Sequence, residues 1–335
     1  MTHRVVLSLL TVLALVLVAC QSAAPAAPTT APAKPAEAAK PAASPAAPAA
    51  SPAAPAASPA APAASPVASP AASPVASRAG QPFPTGSYMR AIQDRGTLRA
   101  GVKQDVLLFG YLNPRTNRIE GFDVDIAKEI ARAIFGDAEK VSLQGMPSAA
   151  RIPSLKEGTV DAVVSTMTIS KARLEEIAFS DVYYEAGQMV LVPRSSTATS
   201  IMDMAGKRVC SAKGSTSETN ITLAQPAAQV VQADLYSECL LAIQQGRADA
   251  MSTDDVILMG LAEQDPSMKL LSPAFTQEPY GIGINKDHPE FVEFVNGVLT
   301  DIKRSGRWAE LHKQWLGKYV ETPAPPTRTA IESAQ

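Results

Sequence analysis

The sequence is poor in the residues that build metal centres and nucleic-acid surfaces. Its 335 residues include three histidines, three cysteines and 5% aromatics. So few soft or imidazole ligands leave little to assemble a metal site from, and no metal or cofactor is expected. His288 precedes Pro289 at a helix start and His312 falls on a terminal helix, so both read as surface residues. Charge of either sign is nearly balanced, with 30 basic and 32 acidic residues for a net charge of −2. No basic stripe with interleaved aromatics is present, which argues against a nucleic-acid partner.

Long hydrophobic runs are scarce as well. The one clear run covers residues 5 to 19, is preceded by Arg4, and is too short and wrongly flanked for a transmembrane helix. It reads as a secretory signal, residues 1 to 19. Its end, Leu17-Val18-Ala19-Cys20, resembles the lipobox of bacterial lipoproteins. That resemblance implies a lipid on Cys20, a membrane anchor and an extracytoplasmic location. From Ser22 to Ser77 the chain is nearly all Ala, Pro and Ser and can bury no core. Residues 20 to 79 are therefore assigned to the lipidated cysteine and a disordered tether, with a reach on the order of 150 Å in polyproline conformation. Residues 321 to 335, with Pro323, Pro325 and Pro326, read as an equally unstructured tail.

The remainder, roughly Gln81 to Val320, suffices for one large domain or two modest lobes. With Cys20 assigned to lipid, Cys210 and Cys239 are left, and an exported chain with an even remainder favours a disulfide. Strand Thr97 to Lys103 alternates apolar and polar residues and delivers Lys103 at its end. Phe122, Ile126, Ile130 and Ile134 recur four apart, an amphipathic helix over Phe122 to Phe135 closed by Gly136. Strands at 141–143, 160–164, 188–192, 207–211, 248–252 and 280–285 alternate with helices at 152–157, 236–245, 255–263, 289–303 and 307–315. Such alternation predicts an α/β fold in two lobes, 80–187 with 283–320 and 188–282, the chain crossing near Glu185 to Gln188 and back near Tyr280 to Gly283.

The stretch Ser165 to Arg173 follows a buried strand and opens a helix, where open α/β sheets hold small ligands. Arg173 offers a planar fork suited to one carboxylate, and Thr166 and Thr168 offer hydroxyls. Ser215 and Glu218 have capping-box spacing directly after a strand, so a helix starting there aims N–H groups at an anion. Asp254 stands at a strand end and also reads as a helix N-cap.

The ordered motifs Gly121–Ala127, Arg151–Leu155 with Gly158 and Val160-Asp161, Thr166–Arg173, Phe179–Tyr184, Gly214–Thr216 and Gly246–Ala250 resemble bacterial extracellular solute-binding proteins of family 3. The resemblance covers nearly all of residues 95 to 320 and implies two Rossmann-like lobes joined by a two-strand hinge, the type II periplasmic-binding-protein fold. It further implies an amino-acid receptor of an ABC importer, nearest to the glutamate and aspartate binders, some of which carry a cysteine pair placed like Cys210 and Cys239. By that likeness Arg173 with Ser215 and Thr216 holds the ligand α-carboxylate, and Thr166 or Thr168 with Asp254 holds the α-ammonium. Lys103 and Arg151 fall where acidic-ligand members place basic residues, with Ser148 and Tyr236 assisting. The alternative for both cations is a rim position paired with Asp105 or Glu120.

The sequence departs from the family where Val106, Leu107 and Leu108 replace a covering aromatic and where Thr253 replaces histidine or glutamine. The expected receptor is a monomer that binds glutamate or aspartate first, and glutamine or asparagine next. Its partner is a membrane permease. The rival readings are a ligand-sensing module of a signalling system and, with no nucleophile and base in evidence, an enzyme on the same scaffold.

Overall fold

The computed structural model describes residues 79–334. The signal segment, Cys20 and nearly all of the tether lie outside the described residues. In the first lobe, helix α1 (Tyr88–Arg95) leads into strand β1 (Leu98–Val102), a small antiparallel sheet of β2 (Asp105–Val106), β3 (Gly110–Asn113) and β4 (Arg118–Glu120), and helix α2 (Phe122–Phe135). Strand β5 (Val141–Gly145), helix α3 (Arg151–Lys156), strand β6 (Ala162–Val163), helix α4 (Lys171–Glu176) and strand β7 (Ala178–Phe179) follow. The chain crosses on β8 (Tyr184–Ala186) and builds the second lobe from β9 (Gln188–Pro193), β10 (Arg208–Ala212), α5 (Thr216–Ala224), β11 (Gln229–Ala233), α6 (Tyr236–Gln244), β12 (Ala250–Asp254), α7 (Asp255–Gln264) and β13 (Met268–Leu271). It returns on β14 (Glu278–Tyr280), adds β15 (Gly283–Ile284) to the first lobe, and ends with α8 (Pro289–Arg304), α9 (Arg307–Leu316) and the short α10 (Ala330–Ser333).

Each lobe carries a five-stranded sheet, ordered β5-β1-β6-β15-β7 in the first and β11-β10-β12-β9-β13 in the second. β1 runs parallel to β5 and β6, and β10 parallel to β11 and β12, so both lobes gather strand ends toward the gap between them. The crossings β8 and β14 pair antiparallel, Tyr184 opposite Tyr280, and make the two-strand hinge. Phe122, Ile126, Ile130 and Ile134 are fully buried on one face of α2, as their spacing predicts.

Three expectations are corrected. The apolar run 280–285 does not form one strand, because Tyr280 stays in the hinge while Gly283 has turned into the first sheet. His312 is buried among the rings of Phe122, Tyr184 and Trp308, with its Nδ1 3.1 Å from Thr322 Oγ1, and His288 stacks on Tyr88. Residues 321–334 are not loose. Arg328 offers its carbonyl to the Val182 N–H at 3.0 Å, a Thr329 capping box starts α10, and Ala330 and Ser333 are buried. Prolines bar a long helix there, yet the backbone still finds a partner beside the hinge.

Cys210 on β10 and Cys239 on α6 form a disulfide, with Cα atoms 5.4 Å apart. In the chain-entropy account a loop of 29 residues contributes roughly 3 to 4 kcal/mol. Replacing both cysteines with alanine is expected to lower the melting temperature by about 6 to 16 °C, since each kcal/mol moves a domain of this size by about 2 to 4 °C. Differential scanning calorimetry that finds less than about 2 °C would refute this.

Candidate functional site

The cleft is built from strand ends and helix starts of both lobes. From the first lobe come Lys103 just past β1, Arg151 at the start of α3, Thr166 and Thr168 after β6, and Arg173 in α4. The second lobe contributes Ser215 and Thr216 at the start of α5, Tyr236 at the start of α6, and Asp254 ending β12. The eight residues singled out in the sequence and Tyr236 all stand at such strand ends and helix starts, buried except for the half-buried Thr216. Lys103 and Arg151 are 1% and 2% exposed, which removes the alternative of rim charges. Lys103 Nζ donates to Ser148 Oγ at 2.6 Å and lies 5.1 Å from the centre of the Tyr236 ring.

The two arginines are spent differently. Arg151 donates from Nε to the Ser148 carbonyl (3.0 Å), from Nη1 to those of Ser165 (2.9 Å) and Thr166 (3.2 Å), and from Nη2 to that of Gly214 (3.4 Å). A guanidinium has five N–H donors, so one remains. Arg173 donates from Nη1 to the Thr168 carbonyl at 2.7 Å and from Nη2 to that of Gly214 at 3.2 Å. Three of its five N–H groups are left by these two bonds.

Gly214 belongs to the second lobe and both arginines to the first, so its carbonyl bridges a closed cleft. Its φ is +76°, and a Cβ added there would sit 2.8 Å from the Ala149 Cα of the first lobe. Thr216 Oγ1 donates to Glu278 Oε2 of the hinge at 3.0 Å and lies 3.3 Å from Thr168 Oγ1. Outside this buried cluster opens a pocket of about 600 Å3 lined in part by Ser148, Arg151, Pro153, Met167, Arg173 and Gly214.

Two helix-start expectations change. Ser215 stands at the N-cap of α5 without capping it, and its hydroxyl lies 3.3 Å from Ser211 Oγ instead. Glu218 takes the Gly214 N–H at 3.3 Å. Asp254 also occupies an N-cap position without capping, because its Oδ2 turns into the cleft to accept from Tyr280 OH at 2.6 Å. Asp255 takes the Val256 N–H at 2.7 Å in its place.

Burial sets the electrostatics. The Lys103 ammonium is pushed from 10.5 down to about 7, by loss of water first and by the like charge of Arg151 next. The same two causes, in the same order, bring Arg173 down to about 9. Burial, with Glu278 second, raises Asp254 to about 8. Asp123 rises to about 7 through burial, although hydrogen bonds from Tyr183 and the Thr166 backbone oppose the shift. Three cations and these carboxylates are each held away from water without full compensation. Among the described residues Asp254 Oδ1, Thr166 Oγ1, Ser165 Oγ and Asp105 Oδ1 are buried polar atoms with no hydrogen-bond partner.

Asp123, Glu278 and Tyr280 belong to the site and were not singled out as site residues. Asp123 accepts from Tyr183 OH at 2.7 Å and from the Thr166 N–H at 2.8 Å. It thereby holds Thr166 at φ +41°, a left-handed conformation that costs a threonine about 1 to 3 kcal/mol. Its signal was its place inside the Gly121–Ala127 motif. Glu278 collects Thr216, Asn220 and Thr276, a convergence with no local sequence signature.

Comparisons with known proteins follow the same geometry. The family described as bacterial extracellular solute-binding proteins, family 3, matches residues 98–318. The ABC transporter glutamine-binding protein GlnH of Bacillus subtilis (strain 168) is 42% identical over 229 residues, 68% of this chain and 84% of its own. The glutamate-binding protein GluB of Corynebacterium efficiens is 32% identical over 247 residues, 70% of this chain and 83% of its own. Among solved structures, an ancestral arginine-binding protein bound to glutamine shares 34% identity at a TM-score of 0.63, covering 67% of this chain and 99% of that one. The two-lobed fold and a family match spanning both lobes lead to one assignment: this chain belongs to the bacterial extracellular solute-binding proteins of family 3.

Proposed function

We propose that this protein is the receptor of an ABC importer for a free amino acid of the glutamine and glutamate type. The observation that carries the reading is the two-sided distribution of buried, under-compensated polar groups. Arg173, Thr166 and Lys103 lie in one lobe and Thr216 and Asp254 in the other. Arg173, with Thr216 and the first N–H groups of α5, receives the α-carboxylate. Asp254 and a threonine hydroxyl, Thr166 or Thr168, receive the α-ammonium, which supplies the donor that Asp254 Oδ1 lacks. A zwitterion so placed is gripped from both sides, and only the closed form makes both sets of contacts.

Lys103, over Tyr236 and beside Ser148, faces the side-chain end. Glutamine ranks ahead of glutamate in this proposal, the reverse of what Lys103 and Arg151 suggest from their charge alone. Arg151 retains one N–H after binding four carbonyls, so it has no fork for a γ-carboxylate. A Lys103 close to neutral in the closed cleft suits an uncharged carboxamide oxygen. The relative with the higher identity is named for glutamine, which supports the same order. The proposal includes a lipid on Cys20 as the anchor near the permease, checked by whether Cys20→Ala releases the protein from the membrane. It also takes the receptor to be a monomer.

Isothermal titration calorimetry with glutamine, glutamate, aspartate, asparagine and arginine tests the reading, and preference for arginine would remove the role of Lys103. Proton counts separate the two leading ligands. Closing over glutamine lowers the Lys103 ammonium from its ordinary 10.5 to about 7 and so expels its proton between those values. Glutamine affinity is thus lowest below pH 7 and climbs above it, by up to about tenfold per unit. The γ-carboxylate of glutamate supplies a counter-charge, keeps the proton on Lys103 and leaves that affinity flat. At pH 8, titrations in two buffers of unlike ionisation enthalpy should show about one more proton released with glutamine than with glutamate. Equal counts would refute the placement of Lys103.

A further inference from the structure

Helix α6 carries the ring that lies under Lys103, yet no side chain of its own lobe caps its first two N–H groups, since Glu238 takes only those of Asp234 and Leu235 ahead of them. Leu235 precedes the helix, and a leucine side chain has no oxygen for the unpaired N–H groups of the first turn. Those groups are met from the opposite lobe. Asp105 Oδ2 accepts from the Tyr236 N–H at 2.8 Å and from the Ser237 N–H at 3.4 Å. Asp105 opens β2, two residues beyond Lys103, and is buried in the closed cleft. A carboxylate at this end also meets the positive pole of the helix dipole. The neighbouring surface is shaped for the same approach, since a Cβ on Gly260 of α7 would lie 3.2 Å from Leu107 Cβ.

We propose that Asp105 is a positioning residue that caps α6 across the cleft only when the lobes are shut, fixing Tyr236 beneath Lys103. Closure and completion of the side-chain pocket then become one event. A helix whose cap lies on another lobe keeps its first turn uncapped in the open receptor, and a returning lobe gains those bonds. The inference rests on the two-lobe closure proposed above.

The test uses the full chain with Asp105→Ala and Asp105→Asn, measuring glutamine affinity by calorimetry, dissociation by stopped flow, and melting temperature with and without glutamine. Asp105→Ala is expected to bind about two- to thirtyfold more weakly, the range of a lost helix cap, mostly through faster dissociation. Its ligand-free melting temperature should stay within about 2 °C of the parent, because the cap is absent from the open form. Asp105→Asn keeps an oxygen for both N–H groups while removing the charge near Lys103, and should recover most of the affinity. The inference is overturned if Asp105→Ala lowers the ligand-free and ligand-bound melting temperatures equally, if Asp105→Asn is as weak as Asp105→Ala, or if affinity is unchanged. A parent that binds no amino acid would remove the proposed function and this inference together, whereas a binding parent matched by Asp105→Ala removes this inference alone.

Discussion

Arg173→Ala is expected to weaken binding of every amino acid tested by a factor of roughly two hundred to a few thousand. The estimate comes from the about 3 to 5 kcal/mol lost when one partner of a buried ion pair is removed. Arg173 is 8% exposed and lowered to about 9 by burial and by Arg151, so in the closed cleft it needs an anion. The α-carboxylate is common to all the candidate ligands, hence the loss should not discriminate among them. Arg173→Lys keeps the charge but not the fork, and should fall between the parent and Arg173→Ala. The fold should survive, because the two carbonyls that Arg173 holds lie at the cleft, where water can reach them once the lobes part. Calorimetry across the ligand panel, with circular dichroism to check the fold, is the measurement. Undiminished affinity in a folded Arg173→Ala protein would end the clamp assignment.

Gly214→Val is expected to weaken binding by at least about a hundredfold without touching any group assigned to the ligand. Two costs coincide at this position. A β-branched residue at φ +76° is strained by about 1 to 2 kcal/mol. Its Cβ would also meet the backbone of Ala149 in the opposite lobe at 2.8 Å, a collision that no rotamer change relieves. Holding the lobes apart also breaks the hydrogen bonds from Arg151 and Arg173 to the Gly214 carbonyl, each worth about 1.5 to 3 kcal/mol as a bond from a charged donor. Small-angle scattering at saturating glutamine should show Gly214→Val remaining open while the parent contracts. Contraction equal to the parent's would show that this glycine does not set the approach of the lobes.

What could be read from the sequence follows from which forces are local. The helix from Phe122 to Phe135 was legible to its ends because its apolar residues recur at helical spacing and glycines flank it. The strand ends at the gap between the lobes were legible for a related reason, since an α/β fold points the residues after β1, β6, β10 and β12 into one gap. The three-stranded sheet of β2, β3 and β4 was missed, as its residues alternate weakly and Asn113, Arg115, Asn117 and Arg118 resemble a loop. The commitment of Arg151 was equally hidden. Its carbonyl partners Ser165, Thr166 and Gly214 are distant in sequence, so that only its charge could be read. Asp105 meets α6 from 131 residues away, and nothing near Leu235 announces that its cap comes from elsewhere.

The carboxyl-terminal segment has a practical consequence. Arg328 reaches toward Glu185 on one hinge strand, and the same stretch offers its carbonyl to Val182 just ahead of that strand. Ile331, three residues further on, is 85% exposed. A dye attached there would ride beside the bend itself, giving a biosensor handle that leaves the recognition surface unlabelled. An affinity tag at this end would instead crowd the part of the molecule that has to flex, so purification handles belong elsewhere.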